Sequence, residues 1–118
     1  MSERVAIVGS RNFTKLWRVS RYVTSLPRAT VVISGGARGV DQTAEKTAKH
    51  LGMTTSIHKP PKEEAAASRE YIRALFARNL KIVMDCDRLV AFWDGESNGT
   101  LDTIRKAVLH GKEVVINP

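Results

Sequence analysis

The chain has 118 residues, a length that fits one domain spanning 1–118 and leaves little room for a second. Its single cysteine, Cys86, excludes an intramolecular disulfide, and a hydrophobic share of 42 % is enough for a core built without metals or cross-links. The formal charge is +7, and the absence of a long apolar run points away from a signal peptide or membrane span and toward a cytoplasmic protein.

The first apolar, β-branched run is Val5–Val8, read as a strand that leads into Gly9-Ser10-Arg11-Asn12. Leu16, Val19, Val23 and Leu26 then share one helical stripe that stops at Pro27. This first helix sits in the most basic part of the chain. Residues 1–30 carry Arg4, Arg11, Lys15, Arg18, Arg21 and Arg28 against Glu3 alone, a net of +5. Trp17 lies among these cations, a mixture suited to nucleic acid or to a dimer contact.

Val31–Ile33 is the second strand, followed by Ser34-Gly35-Gly36-Ala37-Arg38-Gly39-Val40-Asp41. Val40, Ala44, Thr47, Ala48 and Leu51 form the second helical stripe, closed by Gly52. Thr54–Ile57 is the third strand. The stretch Lys59–Ser68 contains Pro60 and Pro61 and reads as a long connection, either a flap or a plain surface link. Tyr71, Leu75 and Ile82 mark the third helix. Leu89–Phe92 is the fourth strand, and Trp93 closes it. Asp94-Gly95-Glu96-Ser97-Asn98-Gly99-Thr100 leads into a fourth helix with Leu101, Ile104 and Val108, which ends at Gly111 before the last strand, Val114–Ile116.

Strict alternation of strands and helices predicts an α/β fold: a three-layer, open parallel sheet of about five strands with helices on both faces. Strand order 3-2-1-4-5 follows, with a crevice between strands 1 and 4 outside their carboxyl ends. The loops leaving strands 1, 2 and 4 then converge. Glycines let a ligand approach the main chain, and N–H groups at a helix start favour phosphate. The candidate ligand-binding residues are therefore Gly9, Ser10, Arg11, Gly35, Gly36, Arg38, Gly39, Asp41, Ser97, Asn98, Gly99 and Thr100, with Trp93 or Phe13 placed against a base. No Walker sequence and no GxGxxG spacing is present, so the pattern is not that of ordinary ATP or NAD sites.

Arg78 and Asn79 stand beside the apolar stripe of the third helix and need partners, either main chain or ligand. Asp41, in the first turn of the second helix, reads as a group that satisfies helix N–H groups. Asp94, Glu96 and Asp102 are the acid–base candidates near the fourth strand. His50, His58 and His110 are scattered, so no metal site and no cofactor are expected.

VAIV (Val5–Val8) with GSRNF (Gly9–Phe13), SGGARGVDQTAE (Ser34–Glu45), ARN (Ala77–Asn79) and DRLVAFWDGESNGTLDTI (Asp87–Ile104) together resemble the SLOG superfamily, in particular its YspA-related small stand-alone domains. The resemblance implies a Rossmann-like domain with a nucleotide-type pocket. That superfamily includes Lonely Guy enzymes, which cleave the N-glycosidic bond of nucleoside monophosphates, DNA-processing protein A (DprA), which binds single-stranded DNA, and sensors of nucleotide derivatives. By the Lonely Guy resemblance Arg78 is a catalytic candidate, and Gly99-Thr100 match a phosphate-binding motif. The glutamate of that motif falls at Thr103, which leaves its neighbour Asp102 as the carboxylate candidate. A homodimer is also implied.

Three functions follow as expectations. The first is binding of a nucleotide or nucleotide-derived ligand by a sensor or ligand-binding module. The second is an N-glycosidase acting on nucleoside monophosphates. The third is single-stranded nucleic-acid binding by the basic first helix.

Overall fold

The computed structural model describes residues 2–61 and 68–118. Within them β1 (Arg4–Gly9), α1 (Leu16–Ser25), β2 (Val31–Ser34), α2 (Val40–His50), β3 (Thr54–Ile57), α3 (Arg69–Asp85), β4 (Arg88–Phe92), α4 (Asn98–Leu109) and β5 (Glu113–Asn117) follow in sequence. Most of the 59–68 connection expected above lies outside the described residues.

The five strands form one all-parallel sheet in the order β3-β2-β1-β4-β5, as expected for this Rossmann-like fold. Alternation along β1 sorts its side chains between two layers. Val5 and Ile7 join Val32, Val90 and Phe92 beneath α1 (Val19, Val23) and α2 (Val40, Ala44, Ala48). Ala6 and Val8 join Ile33, Leu89 and Ala91 beneath α3 (Ile82, Val83) and α4 (Ile104, Ala107). The central strands are thus buried on both faces, which is why they read as unbroken apolar runs. Each of the valine, leucine, isoleucine and phenylalanine side chains taken fully out of water contributes about 1.5–3 kcal/mol.

The helix ends follow local chemistry. Ser68 accepts from the Tyr71 amide at 3.1 Å and starts α3, and Ser97 accepts from the Thr100 amide at 3.4 Å and starts α4. Gly52 (φ 74°) and Gly111 (φ 70°) stand just beyond α2 and α4, in the left-handed conformation that favours glycine. Among the described residues no helix is long and apolar enough to cross a membrane.

A cleft at the carboxyl edge of the sheet as the candidate functional site

Strands β2, β1 and β4 are neighbours and run the same way, so the loops that leave them emerge on one rim. Between that rim and α3 lies a cleft of about 660 Å³. Gly9, Ser10, Arg11 and Asn12 line it from β1; Ala37 and Asp41 from the β2 loop and α2; Asp94, Glu96, Ser97, Asn98, Gly99, Thr100 and Thr103 from the β4 loop and α4. The wall from α3 consists of Tyr71, Ile72, Leu75, Phe76, Arg78, Asn79 and Ile82.

Ten of the residues singled out in the sequence therefore meet there: Gly9, Ser10, Arg11, Asp41, Arg78, Asn79, Ser97, Asn98, Gly99 and Thr100. Gly35, Gly36, Arg38, Gly39, Trp93 and Asp102 do not line the cleft. Arg38 is exposed on the loop ahead of α2. Gly39, at φ 80°, brings the β2 loop against the β1 loop, where an added Cβ would stand 2.8 Å from the Arg11 carbonyl oxygen. Trp93 donates its indole N–H to the Ser97 carbonyl at 3.0 Å and packs on the α3/α4 side of the sheet. Phe13, read as a base contact, is a core residue packed edge-on against Phe92 at 5.7 Å between ring centroids. The apolar wall of Tyr71, Ile72, Leu75 and Phe76 was not foreseen as part of the site. Its signal is the exposure of Ile72 and Phe76, one helical turn apart, which no amphipathic pattern would leave outward.

Arg78 and Asn79 stitch the rim together from behind. The Arg78 guanidinium donates through Nη1 to the Gly35 carbonyl and, at 3.3 Å, to the His58 carbonyl, and through Nε to Asn79 Oδ1 at 3.1 Å. Asn79 Nδ2 donates to the Gly99 carbonyl at 3.3 Å and to Asp102 Oδ2 at 3.1 Å. Both side chains thus bond main chain and also line the cleft. Asp102 is held by Lys106 Nζ, 2.6 Å from each carboxylate oxygen. Thr103, buried, donates its hydroxyl to the Gly99 carbonyl at 3.1 Å.

The role expected for Asp41 needs correction. It caps no helix amide; the N-cap of α2 is Gly39, which has no side chain to cap with. Asp41 turns inward instead, and its Oδ2 accepts from the amides of Gly35 at 3.1 Å and Ala37 at 3.4 Å. The Gly36 amide reaches Ser34 Oγ at 3.4 Å. The amides of Gly35, Gly36 and Ala37 therefore close on the chain's own carboxylate and hydroxyl rather than on a ligand. Burial pushes the Asp41 carboxyl up to about 6, against the pull of the Arg78 guanidinium and the loop amides. Burial likewise lowers the pKa of Arg78, with Asp41 opposing it. Asp41 Oδ1 has no hydrogen-bond partner among the described residues.

The β4 loop is arranged differently. Asp94 Oδ1 accepts from the amides of Glu96 at 2.8 Å and Ser97 at 2.9 Å, which hold its pKa below the usual carboxylate range. The Asp94 amide donates to Ser10 Oγ at 3.2 Å, tying this loop to the end of β1. Among the described residues the amides of Asn98 and Gly99, at the start of α4, have no acceptor. Asn98 and Gly99 line the cleft at a helix start, as does Arg11 from the β1 loop, a combination that attracts an anion. On α1, Trp17 is 58 % exposed with the Arg18 guanidinium 5.7 Å from its ring, and Arg18 also donates to the Pro118 carbonyl at 3.0 Å. Among the described residues no three His, Cys, Asp or Glu side chains gather closely enough to hold a metal ion.

A family model described as DNA recombination-mediator protein A matches residues 1–59, half of the chain. No curated protein gives a significant match. Among solved structures, DNA processing protein A from Streptococcus pneumoniae is similar over 99 % of this chain and 50 % of its own, with 24 % identity and a TM-score of 0.82. DNA processing protein A from Helicobacter pylori, described for its single-stranded DNA binding mode, is similar over 98 % of this chain and 65 % of its own, with 22 % identity and a TM-score of 0.74. The chain thus spans between half and two thirds of these proteins, and at such identity the likeness concerns the fold.

Proposed function

The chain belongs to the DNA recombination-mediator protein A family, and from that premise we propose that the cleft binds single-stranded DNA through its backbone phosphates. The observation that carries this reading is the open pair of amides at Asn98 and Gly99, residues that line one cleft with Arg11 and Ser10. Backbone N–H groups at a helix start and an arginine are the donors that phosphate oxygens take. The charge of +7 favours a polyanion over a neutral ligand. The single-stranded DNA binding described for the Helicobacter pylori protein, which shares the fold, supports the same class of partner.

The apolar wall of Tyr71, Ile72, Leu75 and Phe76 gives an unstacked base a surface to lie on, as single-strand binders require. Trp17 and Arg18 on α1 form a second, exposed surface of the same chemistry. A specific observation also favours a second reading, a free nucleotide or nucleotide derivative. The cleft volume of about 660 Å³ falls within the range of small-ligand pockets, about 300–1,000 Å³.

Fluorescence anisotropy with a labelled oligonucleotide, set against mononucleotide titration by calorimetry, separates the two. Under the first reading oligonucleotide affinity falls steeply with salt, and Arg11→Ala weakens it by about tenfold while lowering the salt slope by about 0.7. Arg18→Ala with Arg21→Ala measures the share of α1. Stoichiometric mononucleotide binding with no oligonucleotide binding would replace the first reading by the second.

A further inference from the structure

A second depression borders the cleft on the far side of Arg78. It measures about 430 Å³ and lies between the end of β3 and α3. Lys59 and His58 enter from β3, and Arg78 and Lys81 from α3. Its lining on α3 includes Ala74, Ala77, Arg78 and Lys81, spaced three, four and seven residues from the first, so they share one helix face. The two alanines are short, and the space above them is what opens the groove. The neighbouring face of the same helix, with Leu75 and Asn79, looks into the main cleft. Arg78 lines both spaces.

The charge of this groove is one-sided. Lys59 and Lys81 are exposed, and among the described residues no carboxylate lies within ion-pair distance of either. The nearby acid, Asp85, is already engaged: Arg4 bonds its Oδ1 at 2.5 Å, and Ser56 and His58 meet its Oδ2 at 2.8 and 2.9 Å. The groove thus offers two lysine ammonium groups and an arginine side chain, and among the described residues none that lines it is acidic.

We infer that this groove is a second phosphate subsite, which continues the main cleft past Arg78 and takes the backbone of a strand longer than the cleft can hold. The inference rests on the reading that the cleft binds single-stranded DNA. A strand whose phosphate sits at Asn98 and Gly99 passes Arg78 and meets Lys59 and Lys81 next. Lysines there act as point charges that neutralise phosphate without reading sequence, so the subsite adds affinity and salt dependence but no base preference.

The test is anisotropy with oligonucleotides of graded length, from about 3 to about 16 nucleotides, which brackets the ~4–16-nucleotide site sizes of other single-strand binding folds. Lys59→Ala with Lys81→Ala is expected to leave trinucleotide affinity within about twofold and to weaken the longest strand by about tenfold. The salt slope for the long strand should fall by about 1.4, from two phosphates at about 0.7 each. Both lysines are exposed, and Lys59→Gln with Lys81→Gln, which keeps a polar side chain while removing the charge, should give the same result. Unchanged long-strand affinity and slope overturn the subsite, as does an equal loss for short and long strands. If the unmodified protein binds no strand of any length, the failure lies with the cleft reading itself, and the subsite falls with it.

Discussion

The β2 and β4 loops are both glycine-containing turns from strand to helix in which an aspartate takes two main-chain amides, yet only the β4 loop leaves residues with open amides, Asn98 and Gly99, lining the cleft. In the β2 loop the amides of Gly35 and Ala37 close on Asp41, a carboxylate of the chain itself. In the β4 loop Asp94 takes the amides of Glu96 and Ser97 and stops there, leaving Asn98 and Gly99 open to the cleft. Both loops carry a glycine at the rim and an aspartate nearby, so composition does not separate them. What separates them is where the carboxylate stands. Asp41 comes after the loop, in the first turn of α2, and is buried with its Oδ2 on the Gly35 and Ala37 amides. Asp94 comes before its helix and stays exposed. A glycine-rich turn is a seat for phosphate only where the chain has not already filled it.

The largest effect that sharpens this contrast is carried by Asp41. Its carboxyl is raised to about 6 in the folded state, so between about pH 4 and pH 6 the folded protein keeps a proton that the unfolded chain has released. Stability attributable to this group therefore falls as pH rises through that window, by about 3 kcal/mol at ~1.4 kcal/mol per pKa unit. Thermal melts from about pH 4.5 to 7 should show this decline in the parent and not in Asp41→Asn. Asp85 acts in a separate window: burial pushes its carboxyl up, but bonds from His58, Ser56 and Arg4 outweigh that and bring it to about 2, so its contribution is lost only as pH falls below about 4. A parent profile as flat as that of Asp41→Asn would mean that the carboxylate is not held as described.

Next in size is Gly35→Ala. The added methyl would meet the Arg78 guanidinium and stand 2.7 Å from Asp41 Oδ2, in the middle of the closed β2 network. Overpacking of this kind costs about 2 kcal/mol, measured by urea denaturation. Ser97→Ala, which removes the α4 cap, is expected to cost about 1 kcal/mol in the same assay. The smallest effect is Gly99→Ala, where an added Cβ meets nothing within 4 Å, so stability should stay within about 0.5 kcal/mol. A loss at Gly99 as large as that at Gly35 would erase the distinction between the filled loop and the open one.

The parallel sheet was legible in the sequence because strands buried on both faces must be apolar throughout, and Val5–Val8 and Leu89–Phe92 are; its order, the natural guess for alternating strands and helices, is the one the structure has. The convergence of the three loops was legible for the same reason: once the strand order is fixed, the ends of β2, β1 and β4 lie side by side. Arg78 and Asn79 stood out because polar groups beside an apolar stripe need partners, and both found them on main chain at the rim. The fate of Asp41 was not legible. Its position in the first turn of a helix suits capping, and only the packed structure shows the side chain turned inward.

From residue order alone came the alternation of strands and helices, the parallel sheet and the rim where its loops gather, because hydrophobic periodicity is a local property of the chain. Which amides stay open, that Trp93 turns its indole to Ser97, and that Lys59 and Lys81 share a groove were decided by the tertiary structure. Each depends on a partner far along the chain, and a hydrogen bond or a shared charge exists only when folding brings both members within a few ångströms.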